Sequence, residues 1–324
     1  MGKAIRIHET GGPEVLRWED VPLGEAGVGQ ARVHHTAIGV NFIDTYHRTG
    51  LYKLPLPSVL GVEAAGVVEA VGPGVSNAKV GDRVAYVSRP PGAYAEAALV
   101  PADRLVRIPD GVSDEVAAAG MLKGMTVWML IRRIHAVKPG ETVLFHAAAG
   151  GVGLIAMQWL RAIGARTLAT VGSDEKGRLA LASGASEVIV YTREDFARRV
   201  RELTKGEGVP VVYDSVGKST FEGSLDSLAP MGLMVSYGNA SGPVPPFDLG
   251  QLALKGSLFL TRPTLFSYTA RREDLEEGAR ELFAVLQSGK VRIDVKHRWP
   301  LAQAADAHRA LEGRKTTGSI VLVP

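Results

Sequence analysis

No cysteine occurs anywhere in the sequence. That removes disulfides, thiolate nucleophiles and every cysteine-ligated zinc site at once. Charge of one sign is also scarce. The 37 Lys and Arg stand against 34 Asp and Glu, and the net charge of +3 is too small to make a basic field for nucleic acid. The run Arg198-Arg199-Val200-Arg201 interleaves with Glu194, Asp195 and Glu202 at helical spacing and reads as a solvated face. Long apolar runs are missing as well: none approaches the roughly 20 residues of a membrane span. The opening MGKAIRIHETGG has no apolar targeting segment. These absences lead us to expect a cytoplasmic protein with neither a membrane nor a nucleic-acid partner. The eight histidines show no metal-ligand spacing, so core or surface roles fit them better.

What is present is an ordinary globular composition, 46% hydrophobic and 22% charged, over 324 residues. That is more chain than one core usually serves, and it sets an expectation of two domains. Residues 1–120 are rich in valine, glycine and proline. Short runs there (Ala31–Ile38, Ala65–Val71, Arg83–Val87) are separated by Gly/Pro turns and predict a β-rich, barrel-like region. From Ser113, an N-cap with an acidic first turn, the pattern becomes helical.

Beyond it, β runs alternate with helical segments: Thr142–Phe145, Thr167–Val171, Glu187–Tyr191, Pro210–Asp214, Gly232–Tyr237 and Ser257–Thr261. Alternation of this kind predicts a six-stranded, doubly wound parallel sheet of the Rossmann type. After Pro263 the pattern changes to a charged helix over about 271–288, an Ala-rich helix through Leu311, and a strand Ser319–Val323 with no helix to complete a further unit. That strand is expected to return to the N-terminal β-rich domain. The expected division is 1–124 and 264–324 for that discontinuous domain, with 125–263 as the Rossmann insert. The fold class is α/β.

The stretch 139–161, PGETVLFHAAAGGVGLIAMQWLR, reads as strand, tight turn and helix. Laid over G-x-G-x-x-G, the turn becomes Ala148-x-Gly150-x-x-Gly153, with only the first glycine changed. Ala148 is small enough for the turn, Gly150 admits a pyrophosphate to the backbone, and Gly153 lets helix and strand pack closely. Gly151 loosens the loop further, and Val152 begins the helical spacing of a helix whose unpaired N–H groups favour an anion. By itself the motif is equally compatible with an ordinary Gly-rich turn.

The surroundings decide between these readings. Gly140-Glu141-x-x-Leu144-x-x-x-Ala148-Ala149-Gly150-Gly151-x-Gly153-x-x-x-x-Gln158-x-x-Arg161 resembles the signature of the quinone oxidoreductase and zeta-crystallin group of medium-chain dehydrogenases/reductases. Gly61-Val62-Glu63-x-x-Gly66-(five residues)-Gly72-x-x-Val75 resembles the superfamily's zinc-alcohol-dehydrogenase motif, with Val62 where a zinc-ligating histidine would stand. The resemblance spans the chain and, with no cysteine present, points to the zinc-free branch. It implies a GroES-like fold for the β-rich domain, a homodimer joined through the Rossmann edge strands, and NADPH as cofactor. Segments 41–46, 213–217 and 237–239 share the likeness, which places Ser215, Tyr237 and Asn239 at the cofactor.

Cofactor choice also has a physical argument. An NAD site carries an acidic residue about 20 positions past the glycines, where this chain has Gly172 and Ser173. Lys176 follows on the next helix's first turn as a point charge for a phosphate. Asp174 and Glu175 pull the other way, their directions being open. The resemblance adds Tyr191 and Arg314 beside that phosphate.

Without zinc, an unactivated ketone lacks a Lewis acid. A quinone needs less, because its aromatising ring spreads the incoming charge and ordinary hydrogen-bond donors suffice. The resemblance places the candidate donors near the nicotinamide: Asn41, which also positions the cofactor, with Tyr46 and Tyr52. For the tyrosines, cleft packing is an equal alternative. Asp44 reads as a structural hydrogen-bonder. Reduction of an α,β-unsaturated carbonyl fits the same residues, and a non-catalytic nucleotide-binding or RNA-binding role is a third reading.

Overall fold

The computed structural model describes residues 2–313 and 316–324. The chain divides into two compact units. One comprises 1–125, 271–287 and 293–324, and the other 126–270 and 288–292.

The second unit holds a six-stranded parallel sheet. Its strands run in the order Glu187–Val190, Arg166–Val171, Thr142–Phe145, Val209–Asp214, Leu228–Ser236 and Phe259–Thr261. Numbered along the chain this is 3-2-1-4-5-6, the order in which two βαβ halves diverge from a central switch point. Val143, Leu144 and Phe145 are buried, as are Thr167–Val171, because helices cover strands that have no solvent face. Val200, Phe221 and Leu225 of helices Phe196–Leu203 and Phe221–Asp226 join Leu144, Leu168, Ile189, Val212 and Met234 in one cluster. Arg198 and Arg199 turn outward to Glu202 at 3.1 and 3.0 Å, which is the solvated face expected of that run.

The last strand is shorter than its sequence pattern. Ser257 takes a left-handed φ of +57° and the Leu258 N–H donates back to Leu252, so sheet pairing starts at Phe259 rather than Ser257.

The first unit is β-rich. Gln30–Val40 pairs with Glu63–Val71, Ala97–Pro101 and Ser319–Val323 within a seven-stranded sheet, and Gly2–Ile7 forms a smaller sheet with Arg17–Val21 and Ser58–Val59. The C-terminal strand does return to the N-terminal β-rich region. It lies antiparallel to Gln30–Val40 and parallel to Val295–Pro300, burying Ile320 and Leu322 with Ile38 and Val40. Helix Asp114–Trp128 begins where Ser113 Oγ accepts from the Val116 N–H, and it runs on as a π-helical turn, Met129–Ile134. Among the described residues no helix is long and apolar enough to cross a membrane.

Candidate active site

In the parallel-sheet unit the turn after strand Thr142–Phe145 is set by Ala147, whose φ of +53° makes it the left-handed residue. Ala148, which the sequence suggested for that task, is instead buried within the turn and donates its N–H to Thr170 O at 3.1 Å. Gly150 is the N-cap of helix Gly151–Ile163, and no side chain caps it. The first helical hydrogen bond is Leu154 N–H to Gly150 O, 2.9 Å. The N–H groups of Gly151, Val152 and Gly153 therefore lie ahead of the intrahelical ladder, concentrated at the positive end of the helix dipole, which is an anion site. A Cβ on Gly153 would strike the carbonyl oxygen of Ala147 and the backbone of Ala148, whereas one on Gly150 would come no nearer than 3.2 Å to any other residue. Gly153 is a packing requirement, and Gly150 keeps the approach to the turn open.

A second group forms at the end of strand Arg166–Val171. Ser173 caps helix Asp174–Ser183, its Oγ accepting from the Lys176 N–H at 3.3 Å. Tyr191 lies across Gly172, where a Cβ would meet its Oη at 2.7 Å and force the phenol to shift. Asp174 turns to Arg193, which donates two hydrogen bonds to it at 2.5 and 2.9 Å. That pairing answers the question of direction for Asp174, and it brings in Arg193, a cation the sequence reading missed.

The third group follows strands Val209–Asp214 and Leu228–Ser236. Asp214 Oδ1 accepts from the N–H groups of Val216 and Gly217 at 2.7 and 3.0 Å, bending the chain at Ser215. Tyr237 hydrogen bonds the Ser215 side chain, and Asn239 closes the adjoining turn by accepting from the Gly242 N–H at 2.9 Å. All three groups sit at carboxyl ends of parallel strands, where ligands bind in open α/β sheets. Arg314 lies outside the described residues.

In the β-rich unit Asn41 is the buried N-cap of helix Phe42–Thr49 and forms a capping box with Asp44. Tyr46 and Tyr52, both half-buried, meet edge-on with ring centroids 5.3 Å apart, and the Tyr52 N–H donates to Tyr46 O at 3.0 Å. The structure thus brings the three candidates onto one helix and the loop behind it. The Arg89 guanidinium lies in the field of Tyr52 and His47.

Asp44 is fully buried and accepts from the Asn41 N–H at 2.8 Å and the Tyr94 hydroxyl at 3.1 Å. Burial pushes its pKa up to about 7. Behind it, Tyr94 contacts His308 Nε2 at 3.0 Å and Arg48 donates to His308 Nδ1 at 3.0 Å. Because arginine only donates, Nδ1 must accept and Nε2 carries the proton. Burial holds His308 down at about 3, with the neighbouring Arg48 charge adding to the effect.

The residues do not suit zinc. Val62 is a core residue 1% exposed. Beside it the Asn41 amide and the Lys123 ammonium both donate to Glu63, and an amide N–H and an ammonium are hydrogen-bond donors where a metal would need lone pairs. Among the described residues no three His, Asp or Glu side chains gather as a metal-binding group.

Comparison with known proteins matches residues 27–110 to the alcohol dehydrogenase GroES-like domain and residues 151–284 to the zinc-binding dehydrogenase family. A quinone oxidoreductase of Pseudomonas aeruginosa is 55% identical over 325 residues, covering all of both chains. A 2-haloacrylate reductase of a Burkholderia species is 47% identical over 332 residues, covering all of this chain and 99% of its own. The crystal structure of Escherichia coli quinone oxidoreductase complexed with NADPH superposes with a TM-score of 0.98 at 49% identity, covering 99% of this chain and all of that one. With the parallel sheet, the uncapped glycine turn and the valine at position 62 in view, the chain belongs to the quinone oxidoreductase group of the medium-chain dehydrogenase/reductase superfamily.

Proposed function

We propose that this chain is an NADPH-dependent quinone reductase that uses neither resident metal nor flavin. The observation that carries the reading is full-length relationship to quinone oxidoreductases, one of them solved with NADPH, in a chain whose glycine turn ends in an uncapped helix. Bound NADPH supplies the hydride. The N–H groups of Gly151, Val152 and Gly153 hold the pyrophosphate, and Gly150 lets it reach them. Ser173, Lys176 and Tyr191 hold the ribose phosphate, with Gly172 leaving space. Ser215, Tyr237 and Asn239 line the rest of the cofactor. Tyr46 and Tyr52 donate to the oxygen that gains charge as the ring aromatises, which is sufficient stabilisation for a quinone. The cofactor is assigned to 125–263, and the substrate to 1–124 and 264–324.

We also propose a homodimer. Phe259–Thr261 is the sheet's edge, with Phe259 61% exposed. Exposed Met231 and Leu254, on the neighbouring strand and the preceding helix, add apolar surface that a monomer rarely leaves open.

Reduction of an activated alkene is supported by the 2-haloacrylate reductase and ranks second because quinone oxidoreductases are more similar over the same length. The test is NADPH oxidation against benzoquinone, naphthoquinones, alkenals and 2-haloacrylates. Turnover with the quinones and little with the alkenes is expected. Turnover with alkenes alone would move the chain to the second reading, and none with any acceptor would overturn both.

A further inference from the structure

Glu63 and Lys123 form a buried ion pair that the roles above leave unused. Glu63 is fully buried and Lys123 is 6% exposed. Their atoms meet at 3.2 Å. Three donors converge on the one carboxylate: Asn41 Nδ2 at 2.6 Å and Lys123 Nζ on Oε1, and the Leu122 N–H at 2.5 Å on Oε2. The backbone is shaped to admit it, since a Cβ at Gly39 would collide with the Glu63 carboxylate and with the Ala118 carbonyl oxygen. A buried ion pair adds little net stability once desolvation is counted, and an apolar pair of equal volume often does as well. Its distinctive property is direction.

An acceptor-only carboxylate dictates which end of the Asn41 amide faces it. The Nδ2 group turns to Glu63, and the capping box commits the same residue to the helix start. One Asn41 N–H is taken by Glu63, and the second is left to meet a ligand. We propose that Glu63, paired with the Lys123 ammonium, is a positioning residue that fixes the Asn41 carboxamide so that its remaining N–H points at the reacting partners. This rests on the quinone reductase reading for what Asn41 serves, but not for how Asn41 is held.

Two measurements test it. The first is a double-mutant cycle of Glu63→Gln with Asn41→Ala, followed through kcat and through NADPH affinity by fluorescence titration. Glu63→Gln should lower kcat at least about tenfold with Asn41 present and less than about twofold with alanine there, NADPH affinity holding within about threefold. Equal losses in both backgrounds, or an unchanged kcat, would overturn it. The second needs no activity and no folded variant at position 63. The chain has three asparagines, so selective 15N-asparagine labelling yields three side-chain amide pairs, and Asn41→Ala identifies the one that matters. That pair should show one proton shifted downfield and slow to exchange in the wild-type protein. Two equivalent, fast-exchanging protons would sink the proposal even if quinone turnover is confirmed. If no quinone is reduced, the functional reading fails while this result still decides how Asn41 is held.

Discussion

Buried histidines and a buried aspartate pull the acid stability of this fold in opposite directions. Burial holds His35 at about 4 and His308 at about 3, so from about pH 6.5 down to those values each is neutral in the native state and takes up a proton on unfolding. Asp44, raised by burial to about 7, is protonated in the native state from there down to about 4 and releases that proton on unfolding. From these three groups alone, two protons gained against one lost leave a net gain of one, so stability should fall by at least about 1.4 kcal/mol per pH unit between pH 6 and 5. His47 and His146, also pushed down by burial, act in the histidine sense and steepen the fall. Denaturant titrations at pH 5, 6 and 7 measure it, and Asp44→Asn should make the loss steeper by about one proton. A flat profile would refute the assignment.

At the same scale, Lys176→Ala should raise the NADPH Michaelis constant about tenfold or more while sparing kcat and NADH use, because a phosphate contact is equal in ground and transition states. Arg193→Ala should act in the same direction, since it leaves the Asp174 carboxylate uncompensated beside that phosphate. Equal use of both cofactors by the wild type would overturn the assignment. Ser173 and Lys176 were readable because a cap and a first-turn charge are local signals. The Asp174–Arg193 pair lies 19 positions apart and Glu63–Lys123 lies 60 apart. No local pattern joins such partners, so these contacts emerge only with the tertiary fold.

Whole elements were more legible than contacts. Strands Thr142–Phe145, Arg83–Val87 and Ser319–Val323 have the limits their composition suggested, because a β-branched apolar run bounded by turn residues has little alternative when it is buried. The edge strand was overcalled by two residues, since nothing in Ser257-Leu258 announces a left-handed turn. The glycine turn makes a sharper prediction. Gly153→Ala should lower the melting temperature by several degrees, its Cβ having no room against Ala147 and Ala148. Gly150→Ala should leave melting nearly unchanged and weaken NADPH binding instead. Calorimetry and fluorescence titration on the two variants separate these effects, and the reverse pattern would reverse the roles given to the two glycines.

For the molecule as a whole, the exposed Phe259 edge predicts a dimer by sedimentation at micromolar concentration, and Phe259→Lys should shift it toward monomer without loss of secondary structure. A monomeric wild type would leave the apolar edge without its proposed partner. The return of Ser319–Val323 to Gln30–Val40 has a different kind of consequence, one for synthesis. On the ribosome the segment 126–270 is complete long before residue 319 emerges, while the sheet begun by the first residues still lacks a neighbour for Ile38 and Val40. Domains usually mature in the order in which they are translated. In this chain the unit that starts first must finish last, and until then its open strand is the surface that a chaperone would have to guard.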